Sequence, residues 1–417
     1  MLRLLYTAQA YHPGSSASIT THGIVEGLVS RGHSVELLVA LPCVEKCPRN
    51  CSLGCKDEGK VTVHRVPFPR LTLYEGHMSL RILSFSLSYF FVVLYALSIV
   101  GKRRFDLVVS MYHTIHLAPF SALLISMFAR VPLVIKCHDV VPTGSRWGSM
   151  EKLFNTFTSQ LDSLALKRSA KILALSSELA YIIRKLYAVP ESKLVIIPNG
   201  VDTNEFECIS EGSSVREKLG LQGKKVLLYM GSVEPSYRKE GVKFLMRAMP
   251  KAIAQVQDLT FLIIGSMSKG VSEELRSLAS SLGIEKHVIF VETVPHEEMP
   301  QYISAADVCI GPLCSTLETY GSTPRKVLEY MACGKPVIVS RGGVSSDMIE
   351  NLRTGIVVNY GDSDELASRT VELLQNSKLA ERIGHEARQH AVSFYDEDVV
   401  AERIDEEFRK LIRGGSD

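Results

Sequence analysis

Short apolar runs alternate with segments of helical period along nearly the whole chain, and that alternation leaves few ways to fold. Runs at residues 4–7, 35–40, 61–66, 107–110, 133–137, 172–175 and 194–197 have strand length. Between most of them lie helical patterns, at residues 19–31, 117–130, 153–168 and 178–186. After a polar, glycine-bearing stretch at 204–225 the pattern restarts, with strands expected at 226–230, 260–264, 288–290, 307–310, 336–339 and 355–358. Strands joined in parallel through helices are buried on both faces, so each series closes as a doubly wound sheet between two helix layers. A chain of 417 residues is too long for one ordinary core and comfortable for two. The expected class is α/β, with two Rossmann-like doubly wound parallel-sheet domains, residues 1–200 and 201–394. Residues 395–417 are expected to close the structure as a helix, with Val399, Val400, Ile404, Phe408 and Leu411 on one buried stripe.

Lys and Arg total 47 against 45 Asp and Glu, a formal net charge of +2. That balance supplies no field for a polyanion, so nucleic acid is not an expected partner. Hydrophobic residues at 46% and charged residues at 22% exclude disorder and collagen-like repeats. The opening MLRLLYTAQAYHPG reads as a strand and turn rather than a secretory signal, and an odd count of 9 cysteines fits a reducing cytoplasm. Cys137, Cys208, Cys309, Cys314 and Cys333 are scattered as small buried hydrophobes would be. Cys43, Cys47, Cys51 and Cys55 instead recur at C-x3-C-x3-C-x3-C. Four thiolates in one loop suit zinc or an iron–sulfur cluster, but the paired C-x2-C spacing is absent and Pro48 and Gly54 suit a plain surface excursion, so both readings stand.

Residues 82–100 contain no Asp, Glu, Lys or Arg and are followed by Lys102, Arg103 and Arg104, the length and flank of a membrane span. A strand of the same sheet follows at once, and a spanning helix would put neighbouring strands on opposite sides of the bilayer. A helix on the surface of the first domain is expected, either simply buried on one face or lying with its outer face against a membrane.

In open parallel sheets, ligands bind outside the carboxyl ends of the strands, so the residues just after each strand carry the chemistry. After the first strand, Gly14, Ser15 and Ser16 form a turn into a helix whose free N–H groups suit a diphosphate, although any strand–helix turn looks similar. The strand LVIKCHD ends in His138 and Asp139, an imidazole beside a carboxylate able to orient a hydroxyl or move a proton near neutral pH. A histidine capping the loop is the plainer reading. His113 and His116 follow the preceding strand and face the same edge. In the second half, strand VLLYMG leads into Gly231 and Ser232, then Arg238 and Lys239, cations that either meet a phosphate or sit in a solvated loop. Further on, Ser322, Thr323 and Pro324 suit the start of a helix running through Met331, with Arg325 and Lys326 in its first turn. Cations there oppose the helix dipole, which points to a bound anion. Glu329, about one turn later, is placed to accept bonds from two ribose hydroxyls.

At these residues the sequence resembles glycosyltransferase family 4, the retaining nucleotide-sugar transferases of GT-B fold. RGHSVELLVA is similar to the family's RGHxVxV, and IIPNGVDTNEF to its IPNGVDxxxF between domains. SAADVCIGP, LEYMACGKPVIVS, GG and TGIVV repeat the order AADxxxxP, LEAMAxGxPVI, GG and TGxxV. The resemblance implies two Rossmann-like domains facing a cleft, a nucleoside diphosphate sugar held mainly by the second domain as donor substrate, and an acceptor on the first, with His113 and Asp139 near it. It departs from the family where Ser15-Ser16 replaces Gly-Gly, where Ser232 replaces an arginine, and where Gly321 stands at the first position of E-x7-E, leaving only Glu329. STPRKVLEYMA resembles instead the branch with S-P-x-K before the helix, in which Lys326 would meet the donor.

Loss of a nucleoside diphosphate leaves an oxocarbenium-like sugar and puts negative charge on phosphate. Arg, Lys and helix N–H groups stabilise that charge without requiring a divalent metal, and no cofactor is expected. By the family's pattern His138 is the catalytic-site residue holding the sugar or acceptor hydroxyl, with retention by front-face displacement. The apolar 82–100 segment brings a lipid-linked acceptor and peripheral contact with the cytoplasmic membrane face into view, and a soluble acceptor stays open. Two rivals remain: a nucleotide-sugar epimerase of the same architecture, and a nucleotide-sugar-binding protein that has lost catalysis.

Overall fold

Every strand of the first series pairs in parallel. The computed structural model describes residues 1–8, 16–39, 61–66, 78–112, 117–138, 149–207, 212–234, 236–311, 313, 324–341 and 344–414. Strands β1 (Arg3–Ala8), β2 (Ser34–Val39), β3 (Val61–Arg65), β4 (Leu107–Tyr112), β5 (Leu133–Cys137), β6 (Lys171–Ala174) and β7 (Leu194–Ile196) form one sheet in the order β3-β2-β1-β4-β5-β6-β7. Strands β8 (Lys225–Met230), β9 (Leu259–Ile264), β10 (Val288–Val291), β11 (Val308–Ile310), β12 (Val337–Ser340) and β13 (Ile356–Val358) form a second, β10-β9-β8-β11-β12-β13. The order reverses between β1 and β4 and between β8 and β11. Those are the switch points at which a doubly wound sheet opens a crevice for a ligand.

Helices α1 (Ser16–Ser30), α2 (Met78–Val100), α3 (Ala118–Ala129), α4 (Ser149–Arg168) and α5 (Ser177–Tyr187) accompany the first sheet. Helices α6 (Gly212–Lys218), α7 (Ser236–Ile253), α8 (Lys269–Ser281), α9 (Met299–Ser304), α10 (Arg325–Ala332), α11 (Val344–Asp347), α12 (Ser363–Gln375) and α13 (Ser377–Phe394) accompany the second, and α14 (Glu397–Gly414) ends the chain. The chain divides into two units, Met1–Asn199 with Glu397–Asp417, and Gly200–Asp396. Apolar clusters cover both faces of each sheet, one face of the first with Leu5, Val108 and Ile135, the other with Leu4, Val109 and Val134. That is why the strands read as continuous apolar runs rather than alternating ones.

The last helix returns to the first unit. Its Val400, Ile404 and Phe408 are buried in the same cluster as Leu28 and Leu37. Asp405 fixes this docking. The His33 ring, fully buried, accepts from the Leu2 N–H at Nδ1 (3.1 Å) and donates through Nε2 to the Asp405 carboxylate (2.9 Å). Arg409 donates to the same carboxylate at 2.8 Å. Burial holds the imidazole below its ordinary pKa despite the carboxylate, which agrees with one proton on Nε2 and none on Nδ1. The RGHSV motif is thus part of the framework.

Two more motif residues do similar work in the second unit. Asp307 accepts from the Val226 N–H (2.7 Å) and from Arg216 (2.8 Å), setting β11 beside β8. Lys335 donates to the carbonyls of Ser304 and Ala306, both at 2.8 Å, and so closes the end of α9.

Helix α2 buries Tyr89, Val92, Ala96 and Ile99 against the first sheet. Its outer side carries Leu87, Phe90 and Leu94, which are 37%, 58% and 48% exposed. Among the described residues, no helix is long and apolar enough to cross a membrane.

Candidate functional site

At the second switch point the chain leaves β8 through Gly231, whose φ of 125° lies where side-chain-bearing residues are strained. Gly265, at the end of β9, is equally constrained: a Cβ there would lie 2.2 Å from the Gly231 carbonyl oxygen. Helix α10, which follows β11, is pinned over this strand end by Tyr330. Its phenol, fully buried, accepts from the Met230 N–H at 2.8 Å.

One turn back along α10, Lys326 lies directly on Gly231. A Cβ on that glycine would be 2.4 Å from Lys326 Nζ, and the same ammonium sits 4.3 Å from the centre of the Tyr229 ring. The open glycine and the aromatic face together hold a cation at the carboxyl end of β8. Arg325 and Glu329 are both buried. Arg325 Nε is 3.6 Å from Glu329 Oε1, so part of the opposition between this arginine and the helix dipole is answered by its own helix.

Glu329 has a partner from outside the helix. His296, in the turn His296–Glu298 before α9, places Nε2 3.3 Å from Glu329 Oε1 and Nδ1 3.5 Å from Glu205 Oε1. Phe206 meets the imidazole edge-on, with ring centres 5.3 Å apart. With a carboxylate at each nitrogen, first Glu205 and then Glu329, the imidazole is pushed up to about 9 and carries both protons at neutral pH. Burial pushes the Glu329 carboxyl up. The His296 bond, with the charges of Arg325, His296 and Lys326, outweighs that and leaves it below the usual carboxylate range.

Of the residues expected from the sequence to hold an anion, Gly231, Arg325, Lys326 and Glu329 therefore converge. Ser232 does something more local: its hydroxyl donates to the Glu234 carbonyl at 3.0 Å and shapes the turn. Arg238 and Lys239 lie in the first turn of α7, and Lys239 donates to Glu274 of α8 at 2.7 Å, a carboxylate that Lys243 also engages. Lys239 is thus committed to an α7–α8 ion pair. In the first unit His138 is buried just beyond β5, its backbone N–H bonded to the Tyr112 carbonyl at 2.9 Å. Ser16 opens α1. Gly14, Ser15, His113, His116, Asp139, Ser322, Thr323 and the four cysteines Cys43, Cys47, Cys51 and Cys55 lie outside the described residues.

Two members of the cluster round Glu329 escaped the sequence analysis, His296 and Glu205, and so did a buried framework lysine, Lys136. Lys136 leaves a visible trace, a lysine inside the apolar strand LVIKC. It is fully buried, and Nζ donates to the carbonyls of Ile197 (3.3 Å) and Pro198 (3.4 Å), the second and third residues of the IIPNGVD motif. His296 and Glu205 leave no such trace, because both sit in polar stretches.

Two family descriptions match the chain: "Glycosyltransferase Family 4" over residues 17–205 and "Glycosyl transferases group 1" over residues 224–376. A GDP-mannose-dependent alpha-(1-6)-phosphatidylinositol monomannoside mannosyltransferase of Mycolicibacterium smegmatis is 31% identical over 210 residues. That match takes in 49% of this chain and 53% of the relative, so it spans about half the relative's length. An uncharacterised glycosyltransferase of Methanocaldococcus jannaschii is 24% identical over 414 residues, 96% of each chain. Among solved structures, HepE of Anabaena in complex with UDP superposes with a TM-score of 0.75 at 20% identity, covering 98% of this chain and 100% of that one. With the two sheet orders, these matches define the class, glycosyltransferases of GT-B fold. The chain belongs to glycosyltransferase family 4.

Proposed function

We propose that this protein is a retaining, metal-independent hexosyltransferase that moves a sugar from a nucleoside diphosphate donor to an acceptor hydroxyl. The observation that carries the proposal is the set on α10. Lys326 lies against an open glycine at a switch point, and a buried, ionised Glu329 follows in the next turn. The diphosphate takes the Gly231 end with Lys326 as its counter-charge, and Glu329 accepts bonds from the ribose hydroxyls. The bond from the sugar carbon to the phosphate oxygen breaks with its electron pair going to the diphosphate. The acceptor oxygen joins the same face of the sugar, and its proton passes to the departing phosphate. Lys326 and Arg325 supply the charge stabilisation that step needs. In the first unit, His138 is assigned the sugar or acceptor hydroxyl.

The test is a panel of UDP-, GDP- and ADP-sugars read by thermal shift, since a true donor raises the melting temperature of the form that binds it. Turnover is then assayed with and without candidate acceptors, and with EDTA. A donor that stabilises the protein, transfer that survives EDTA and a product of retained configuration are expected. Free sugar or an epimer formed from donor alone would establish the epimerase instead, and binding without turnover on any acceptor the inactive binding protein.

A lipid-linked acceptor at the cytoplasmic membrane face is part of the same proposal. Exposed Leu87, Phe90 and Leu94 on α2, with Lys102, Arg103 and Arg104 exposed just after it, support it, as does the phosphatidylinositol mannoside in the mycobacterial relative's name. The protein should sediment with phosphatidylglycerol vesicles, and Phe90→Glu with Leu94→Glu should abolish this. Equal recovery with and without vesicles would remove the membrane from the proposal.

A further inference from the structure

A carboxylate that receives two hydroxyl groups must be ionised, because a protonated acid uses one oxygen as a donor. Glu329 is only 6% exposed, and burial alone would favour the acid. Its neighbours divide the carboxylate in two. His296 and Arg325 both approach Oε1, while Oε2 makes no hydrogen bond among the described residues. One oxygen is anchored, and the other is the one we assign to the ribose hydroxyls. The anchor from outside α10 is the imidazole, and its other nitrogen faces Glu205 in the turn that opens the second unit. That turn is itself held: Asp202 accepts from the N–H groups of Asn204 and Glu205, both at 2.9 Å, and Arg388 donates to the Phe206 carbonyl at 3.1 Å.

We infer that His296 is a positioning residue for the donor, clamped between Glu205 and Glu329 so that the Glu329 carboxylate stays charged and aimed at the ribose hydroxyls. This rests on the reading of Glu329 as the ribose acceptor. The charged and titratable groups round the pair are Arg325 and Lys326 on α10, Glu205 on the opening turn, and the Tyr330 phenol, which burial keeps protonated. Arg325 and Lys326 stay in place when His296 is replaced, and the His296 bond is the largest influence holding the carboxyl down, so His296 is the partner whose removal makes Glu329 sensitive to protons. The doubly protonated imidazole, raised by its two carboxylates, has the two N–H groups this clamp requires. A glutamine cannot replace it, since both amide protons sit on one nitrogen.

The experiment measures binding of UDP and GDP, each beside its 2′,3′-dideoxy form, by calorimetry to the full chain from about pH 5.5 to about pH 8.5, a range that brackets carboxyl and imidazole titration. The quantity read is the preference for the ribose over the dideoxy form. Wild type should keep a preference of at least about tenfold across the range, as a lost hydrogen bond to a charged group commonly gives. Glu329→Gln should bring it close to one. If it does not, the ribose reading itself fails. With that control in place, His296→Ala should lose most of the preference near pH 6, recovering at higher pH if ionisation dominates and staying low throughout if aim dominates; either result supports the clamp. An unchanged preference in His296→Ala at every pH, beside a collapsed one in Glu329→Gln, overturns it. Glu205→Gln, at a more exposed position, should shift the preference in the same direction by less. Its value decides the matter if His296→Ala fails to fold.

Discussion

Lys326→Ala is expected to lower kcat/KM by about 10²–10³, the usual loss when one pre-placed donor to a developing oxyanion is removed. Its ammonium is the cation packed on Gly231, where a leaving diphosphate would gather charge. The loss should fall on kcat as much as on KM, because that charge is greatest in the transition state. Glu329→Ala and Glu329→Gln should behave differently. Ribose bonds are much the same in ground and transition states, so the donor KM should rise by about tenfold or more with a smaller change in kcat. EDTA should affect none of these proteins. Steady-state kinetics with the donor found by the nucleotide-sugar panel makes the comparison, and wild-type activity in both variants would refute the assignment of α10 to the donor.

Lys136→Met should change how stability depends on pH. Burial lowers the Lys136 pKa from 10.5 to about 7, the charge of Cys137 opposing and that of Arg403 assisting. The folded value lies below the unfolded one, so between about pH 7 and pH 10.5 the unfolded chain holds a proton the folded protein has released. Stability then rises with pH across that window, and below about pH 7 the full penalty of a buried ammonium is present. The shift corresponds to a penalty on the order of 5 kcal/mol. A methionine of similar length titrates nowhere and removes that slope, although it leaves the Ile197 and Pro198 carbonyls without their donor. In urea titrations at about pH 6.5, 8 and 9.5, the difference in unfolding free energy between the two proteins should move in favour of wild type by several kcal/mol as pH rises. Parallel curves would mean that Lys136 keeps its charge through some other compensation.

Much of the architecture was legible because strand and helix period are local properties. A run such as VLLYM is buried on both sides of a parallel sheet wherever that sheet lies, and each expected run became a strand, with the edge strands β3, β7 and β10 only partly covered. The charged start of α10 was legible too, because Pro324, Arg325, Lys326 and Glu329 lie within six residues of one helix start. Lys239 was less so. In the sequence it is one more cation after a strand, and only the packing of α7 beside α8 brings Glu274 against it. RGHSV and SAAD could be recognised as motifs, but whether their His33 and Asp307 touched a ligand or the framework required knowing what lay opposite.

Taken alone, the amino-acid order determined two parallel α/β sheets, the strand positions in each, and a basic helix start after β11, because burial period and helix-end chemistry act within a few residues. Tertiary structure decided that α14 returns to the first unit through Asp405 and His33, and that Glu205, His296 and Glu329 meet around one imidazole. Such meetings depend on where crossovers carry the chain, and a polar residue in a loop has no period by which its distant partner could be read.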